Sequence, residues 1–275
     1  MSAFERPNFD SVPPVVKNLI IINVIMLLAA WVVENVFRID LNSVLGLYYF
    51  GSEHFRPFQI VTHMFMHGGI MHLFFNMFAL WMFGRILEQV WGSKRFLIYY
   101  FVTGLGAVAL HTFVNYLTIS HIETAATAML NTPSPETFSA FVTHHFPAYY
   151  NDLYDKFISQ WSNSPSNQAY IQQAGEYTKQ LIALRMDIPT VGASGAVFGV
   201  LLAFGMLFPN TPLMLMFIPI PIKAKYFVIG YGAIELFMGV SNFQFDNVAH
   251  FAHLGGMLFG FILIKYWNRR KDIFY

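Results

Sequence analysis

Residues 250–267 read HFAHLGGMLFGFILIKYW and residues 192–208 read GASGAVFGVLLAFGMLF. Each is an apolar run of helical length that opens on polar side chains and glycines, and such runs decide the fold class. Four more stretches have the same character: Asn18 to Val33, Met71 to Met82 with mixed extensions, Phe96 to Tyr116, and Tyr226 to Val240. With Ser194 to Phe208 and Val248 to Trp267 they make six candidate transmembrane helices. Several fall short of the roughly 20 residues a lone span wants, which a tilted helix or one shielded by neighbours tolerates. The first follows Lys17 without a small-residue cleavage motif behind it, so it reads as a retained helix and not a removed signal peptide.

Composition agrees. The 275 residues are 56% hydrophobic, with 30 Phe, 14 Tyr and 5 Trp, and only 11% are charged; a soluble domain carries about 25% charged residues. Mean hydropathy is +0.48. A water-exposed domain and a disordered chain are both excluded. With no cysteine there is no disulfide, no thiolate nucleophile and no zinc site built on sulfur. A net charge of +1 offers no basic field for nucleic acid, so the expected surroundings are a lipid bilayer and no nucleic acid.

Orientation follows from the cations. With the N-terminus in the cytoplasm, Arg6, Lys17, Arg85, Lys94, Arg95, Lys223, Lys225, Lys265, Arg269, Arg270 and Lys271 lie inside, and only Arg38, Arg56, Lys156, Lys179 and Arg185 lie outside. The positive-inside rule favours that arrangement, with both termini cytoplasmic. This pattern, without a presequence, suits a bacterial inner membrane. Between the third and fourth helices, residues 118–187 are too long and too polar for a plain connection. By parity they are external, and they read as an inserted polar subdomain within a single membrane domain spanning 1–275. Residues 162–167 look like a break, and the part after Gln168 like an amphipathic helix carrying Ile171, Leu181 and Leu184.

Polar groups inside a membrane are costly and therefore functional candidates. Three clusters stand out: His63, His67, His72 and Asn76 on the second helix and its approach, Gly192-Ala193-Ser194-Gly195 opening the fourth, and His250 and His253 opening the sixth. These helices run in the same direction, so depth can be compared at about 1.5 Å per residue. Ser194 lies about 21 Å from the cytoplasmic end at Phe208, His253 about 18 Å from Lys265, and His72 about 20 Å from Arg85. The three come out level, about 10 Å below the outer surface of a hydrocarbon core about 30 Å thick. Asn76 follows His72 by four residues, on the same face one turn deeper.

A serine and a histidine at one depth supply a nucleophile and a general base for acyl transfer. His72, Asn76 and the Ser194 backbone N–H are donors for the oxyanion that attack would create. Gly195 and Gly199, and Gly256 and Gly260, form two small-xxx-small patterns that let the fourth and sixth helices approach closely.

At these residues the sequence resembles the rhomboid family of intramembrane serine proteases. The likeness is carried by Gly192-Ala193-Ser194-Gly195, by Ala252-His253-Leu254-Gly255-Gly256 with Gly260, and by His72 to Asn76 preceded by His63 and His67. It implies an all-α, polytopic six-helix bundle and a Ser-His dyad without a third acid. Ser194 is then the nucleophile, His253 the base in preference to His250, and His72 and Asn76 oxyanion donors. His63 and His67 would be structural or water-organising. Phe198 stands where some rhomboids place a tyrosine against the catalytic imidazole; ring packing survives that change, a hydroxyl bond does not. The resemblance further implies transmembrane protein substrates cut in or near their helices, no cofactor and no metal. It also implies a movable fifth helix with a capping loop at Ser241 to Asn247.

Glu235 is the one acid at mid-membrane, about 15 Å into the fifth helix. It is read as hydrogen-bonding a neighbouring helix in preference to serving as a third catalytic member. Helical spacing of His63 and His67 invites a metal, but no His-Glu-x-x-His accompanies it. Two other classes remain open, a non-catalytic rhomboid-like protein that binds membrane clients and a polytopic transporter.

Overall fold

A computed structural model of the chain describes residues 12–215, 218–241 and 248–269. Of the sequence readings above, Arg6, Arg270, Lys271 and residues 242–247 of the capping loop lie outside the described residues. The fold is all-α apart from one small hairpin. The principal helices are α1 (Pro14–Phe37), α2 (Ile70–Trp91), α3 (Ser93–Asn131), α4 (Pro135–His145), α5 (Gln168–Met186), α6 (Ser194–Leu207), α7 (Ala224–Ser241) and α8 (His250–Arg269). Helix α2 carries a π turn at Leu80–Gly84. A helix thus stands at each of the six apolar stretches. By length and composition α1, α2 and α3 suffice to cross a membrane, and α6 is an apolar helix of 14 residues. Lys225 and Glu235 in α7, and His250, His253, Lys265 and Arg269 in α8, dilute the apolar character of those two.

The chain divides into two compact units. One comprises residues 1–47, 56–112 and 189–275. Helix α6 is its axis. Nearly every residue from Gly195 to Gly205 is buried, as expected of a helix that is apolar all round. Leu80, Phe83 and Leu87 of α2, Phe96, Tyr99 and Tyr100 of α3, Val228 of α7 and Ile264 of α8 complete the core with Val197, Val200 and Phe204. Ile25, Leu28 and Trp31 of α1 point outward instead, an apolar surface that hydrocarbon accepts and water does not.

The start of α1 shows how a polar group is tolerated in this setting. Pro13 precedes the helix and offers no side-chain cap. Buried Glu88 of α2 supplies one from a distance: its Oε2 accepts the Val16 N–H at 2.8 Å and its Oε1 the Val15 N–H at 3.0 Å. The Ser93 hydroxyl donates to the same Oε1 at 2.6 Å. A carboxylate at a helix N-terminus meets both orphan donors and the positive end of the dipole.

Between α6 and α7 lies an antiparallel hairpin of β1 (Pro212–Leu215) and β2 (Ile218–Lys223), with Pro212 opposite Lys223 and Leu213 opposite Ile222. Hydropathy does not announce it. Pro209, Pro212 and Pro221 deny the segment a helix, and a two-stranded ribbon, both of whose strands are edges, tolerates proline.

The other unit comprises residues 48–55 and 113–188. It has its own core, in which Ile122, Met129, Phe138, Phe157, Trp161 and Leu181 are buried together. Helix α4 begins with a capping box, Ser134 and Thr137 each accepting the other's backbone N–H. Two sequence readings are adjusted here. Helix α3 does not stop near Tyr116 but runs on to Asn131, because no glycine or proline interrupts the polar residues that follow. On α5, Leu181 is buried as expected, whereas Leu184 is exposed.

Candidate active site

The turn into α6 is built around Gly192, whose φ of +128° suits glycine alone. A Cβ there would also lie 2.9 Å from His72 Cε1 and 3.0 Å from its Nε2. The Gly192 N–H donates to the His63 carbonyl at 2.9 Å, tying the turn to the approach of α2. Ser194 is then the first residue of α6, where backbone N–H groups have no partner within the helix.

Helices α6 and α8 touch backbone to backbone. A Cβ on Gly256 would sit 1.8 Å from the Gly195 carbonyl oxygen; Gly260, contrary to the sequence reading, packs on α3, where its Cβ would sit 2.3 Å from the Tyr99 hydroxyl. That approach brings Ser194 and His253 together: His253 Nε2 lies 2.8 Å from Ser194 Oγ. The imidazole is buried, and the Phe198 ring stacks on it with centroids 4.1 Å apart and planes 6° apart. Phe198 in turn leans on Tyr231 of α7.

His253 has a second partner. Its Nδ1 lies 2.8 Å from Glu235 Oε2, and His250 Nδ1 lies 2.6 Å from the same oxygen. The sequence reading had Glu235 bonding to a neighbouring helix, and it does so to both histidines of α8. Among the described residues Glu235, His250 and His253 form the one group whose ligand atoms lie within 4.8 Å of one another, as a metal site requires. Their contacts are hydrogen-bond distances, shorter than the about 3.3 Å between ligands around a tetrahedral zinc with bonds of about 2.0 Å.

On α2 the residues fall as follows. His72 faces Gly192, and its Nδ1 accepts the Gly68 N–H at 3.3 Å. Asn76 is buried and its amide donates to the His72 carbonyl at 3.0 Å. His67 meets His72 edge to face at 5.1 Å, and neither of its buried ring nitrogens finds a hydrogen-bond partner. His63 Nδ1 bonds the Gln59 carbonyl at 2.8 Å, anchoring its own short helix. A small cavity beside Ser194, bounded by Gly192, His63, His111, Thr190 and Ala252, has room for a water molecule.

A membrane-embedded helical bundle that brings a serine hydroxyl against a buried imidazole is a narrow class of structure. The Rhomboid domain family matches residues 54–127 and 168–270. The chain belongs to the rhomboid family and is a multi-pass integral membrane protein. It is 41% identical over 59 residues to the rhomboid protease GluP of Bacillus subtilis (strain 168), covering 21% of this chain and 12% of that protein. To the uncharacterized mitochondrial rhomboid protein P4H10.10 of Schizosaccharomyces pombe it is 26% identical over 229 residues, 78% of this chain and 53% of the relative. To the mitochondrial RHOMBOID-like protein 6 of Arabidopsis thaliana it is 40% identical over 60 residues, 22% and 19% respectively. The chain thus spans about half or less of the length of these relatives.

Proposed function

We propose that this chain is an intramembrane serine endopeptidase that hydrolyses peptide bonds in or near the transmembrane segments of membrane proteins, with Ser194 as nucleophile and His253 as base. The carrying observation is the 2.8 Å contact between His253 Nε2 and Ser194 Oγ within a bundle of the rhomboid family. Family membership supports the protease reading, and the name of the Bacillus relative is in keeping with it.

In this reading the Ser194 hydroxyl transfers its proton to His253 Nε2 as Oγ attacks the scissile carbonyl. The oxyanion meets the Ser194 N–H, His72 across the turn, and Asn76 through the amide hydrogen not given to the His72 carbonyl. Collapse returns the proton to the departing amine and leaves an acyl-serine. Water then attacks the ester by the same route in reverse roles, and the small cavity beside Ser194 is a place to hold it. The substrate helix must unwind locally first, since its peptide bonds are shielded by their own hydrogen bonds.

The remaining elements belong to the same proposal. Six spans with cytoplasmic termini in a bacterial inner membrane are part of this reading, supported by the distribution of Lys and Arg. Residues 118–187 act as an external subdomain, a reading supported by the separate core around Trp161. Purified protein in detergent or liposomes should cleave a transmembrane reporter, and Ser194→Ala and His253→Ala should each lower the rate by about 10³-fold or more. A transport activity that survives Ser194→Ala would favour the transporter instead, and binding of membrane clients without turnover would favour a non-catalytic relative.

A further inference from the structure

The general base has both ring nitrogens engaged. Nε2 faces the Ser194 hydroxyl at 2.8 Å and Nδ1 faces Glu235 Oε2 at 2.8 Å, while Phe198 fixes the plane of the ring. If Nδ1 donates its hydrogen to the carboxylate, Nε2 carries a lone pair and can accept from the hydroxyl, which is the tautomer a base must have. The opposite tautomer would turn an N–H toward a hydroxyl whose proton it should receive. We propose that Glu235 is the third member of this site, a positioning residue that holds His253 as the Nδ1–H tautomer and balances the imidazolium formed when Ser194 attacks. This rests on the reading of Ser194 and His253 as nucleophile and base.

The surroundings carry the same inference. Glu235 is 4% exposed, in the middle of α7, which the six-span reading places in hydrocarbon, where an unbalanced carboxylate is costly. One oxygen faces two imidazole Nδ1 atoms, that of His253 at 2.8 Å and that of His250 at 2.6 Å, so His250 is a second anchor for the acid. The resulting order is Ser194, His253, Glu235, His250, with α7 supplying the acid and α8 both imidazoles. During acylation the proton moves from Ser194 Oγ to His253 Nε2 and goes no further; Glu235 stays ionised, and the proton is later given to the leaving amine. A family likeness to a Ser-His dyad does not contain this residue; the contact does.

A purely structural tie between α7 and α8 would also place Glu235 here, so the test must separate the two roles. On a transmembrane reporter Glu235→Gln should lower kcat by about 10- to 10⁴-fold, the range over which an orienting acid acts, with KM nearly unchanged. Glu235→Asp should recover part of that loss. His250→Ala, which removes the outer anchor but leaves the acid facing His253, should lose less than Glu235→Gln. Labelling of Ser194 by a fluorophosphonate should slow in the same order, independently of substrate docking. Wild-type kcat in a folded Glu235→Gln would overturn the proposal and leave only the structural tie. Should the variants fail to fold, nitrogen-15 NMR of histidine-labelled wild-type protein decides, since a His253 protonated at Nε2 and bare at Nδ1 contradicts it. A wild-type protein that neither cleaves nor labels contradicts the protease reading instead, and the NMR result then still judges the contact with Glu235.

Discussion

Replacing Gly256 with alanine places a methyl carbon 1.8 Å from the Gly195 carbonyl oxygen and 2.7 Å from its carbonyl carbon. Both obstacles are backbone, so no side-chain rotation makes room. Real contacts of this kind stay beyond 3.0 Å, so α6 and α8 must separate by roughly 1 Å in an interior that is close-packed and yields little. Gly195 adjoins Ser194, and His253 lies less than one turn before Gly256. The separation is therefore delivered to the 2.8 Å contact between Ser194 Oγ and His253 Nε2. A lengthening of about 1 Å carries it past the about 3.2 Å limit of a good hydrogen bond, and a misplacement of that size can cost about 100-fold in rate. Overpacking adds about 1–3 kcal/mol of destabilisation. The assay is kcat on a transmembrane reporter beside a thermal melt, with Gly230→Ala as control because a Cβ there meets nothing within 4 Å. We expect Gly256→Ala to lose about 100-fold in kcat and Gly230→Ala to match wild type. A Gly256→Ala protein with unchanged kcat and melting temperature would refute the claim that this glycine sets the approach of serine and imidazole.

Three further outcomes follow from the same geometry. Glu88→Gln weakens the charged cap on the first helix, where Val15 and Val16 donate at 3.0 and 2.8 Å; a stability loss of about 1–3 kcal/mol by denaturant titration is expected, with activity of the folded fraction unchanged. Phe198→Ala removes the ring stacked on His253 and should lower kcat by up to about tenfold, the equivalent of about 0.5–1.5 kcal/mol, whereas Phe198→Tyr should stay near wild type. His145, at the end of α4, is held below the ordinary histidine value of 6.5, first by burial and then by the nearby His144 and His121. Because its folded-state value lies below the unfolded one, its neutral form stabilises the fold above 6.5 and that contribution is lost as pH falls through the folded value. Protection factors from hydrogen exchange across residues 135–146, which correct for the intrinsic pH dependence of amide exchange, should therefore fall on acidification, and His145→Gln should remove that fall.

The legible part of this protein is the part governed by hydropathy and helical rise. Ser194 opens α6 at the residue where its apolar run begins, and the equal depths of Ser194 and His253 were a matter of counting residues to the cytoplasmic end. Gly256 announced the close contact of α6 and α8, whereas Gly260 and Gly199, read as part of the same contact, abut Tyr99 and Thr103 of α3 instead. What stayed hidden depends on neighbours distant in sequence. That Glu235 would point at α8 is a question of rotation about the α7 axis, which its depth does not determine. Glu88 as the cap of α1 joins residues more than seventy positions apart, with no local capping pattern to betray it. Helix α3 outran its apolar segment because backbone hydrogen bonding does not end where hydropathy does, and the proline-rich hairpin formed where a hydropathy reading saw only a connection.

The central claim is that the Ser194 hydroxyl is a nucleophile activated within the bilayer, and a fluorophosphonate tests it on intact protein without knowledge of any substrate. Mass spectrometry of the labelled wild-type protein should place the adduct on Ser194, with little labelling in His253→Ala and none at that position in Ser194→Ala. An adduct on another serine, with reporter cleavage persisting in Ser194→Ala, would contradict the account.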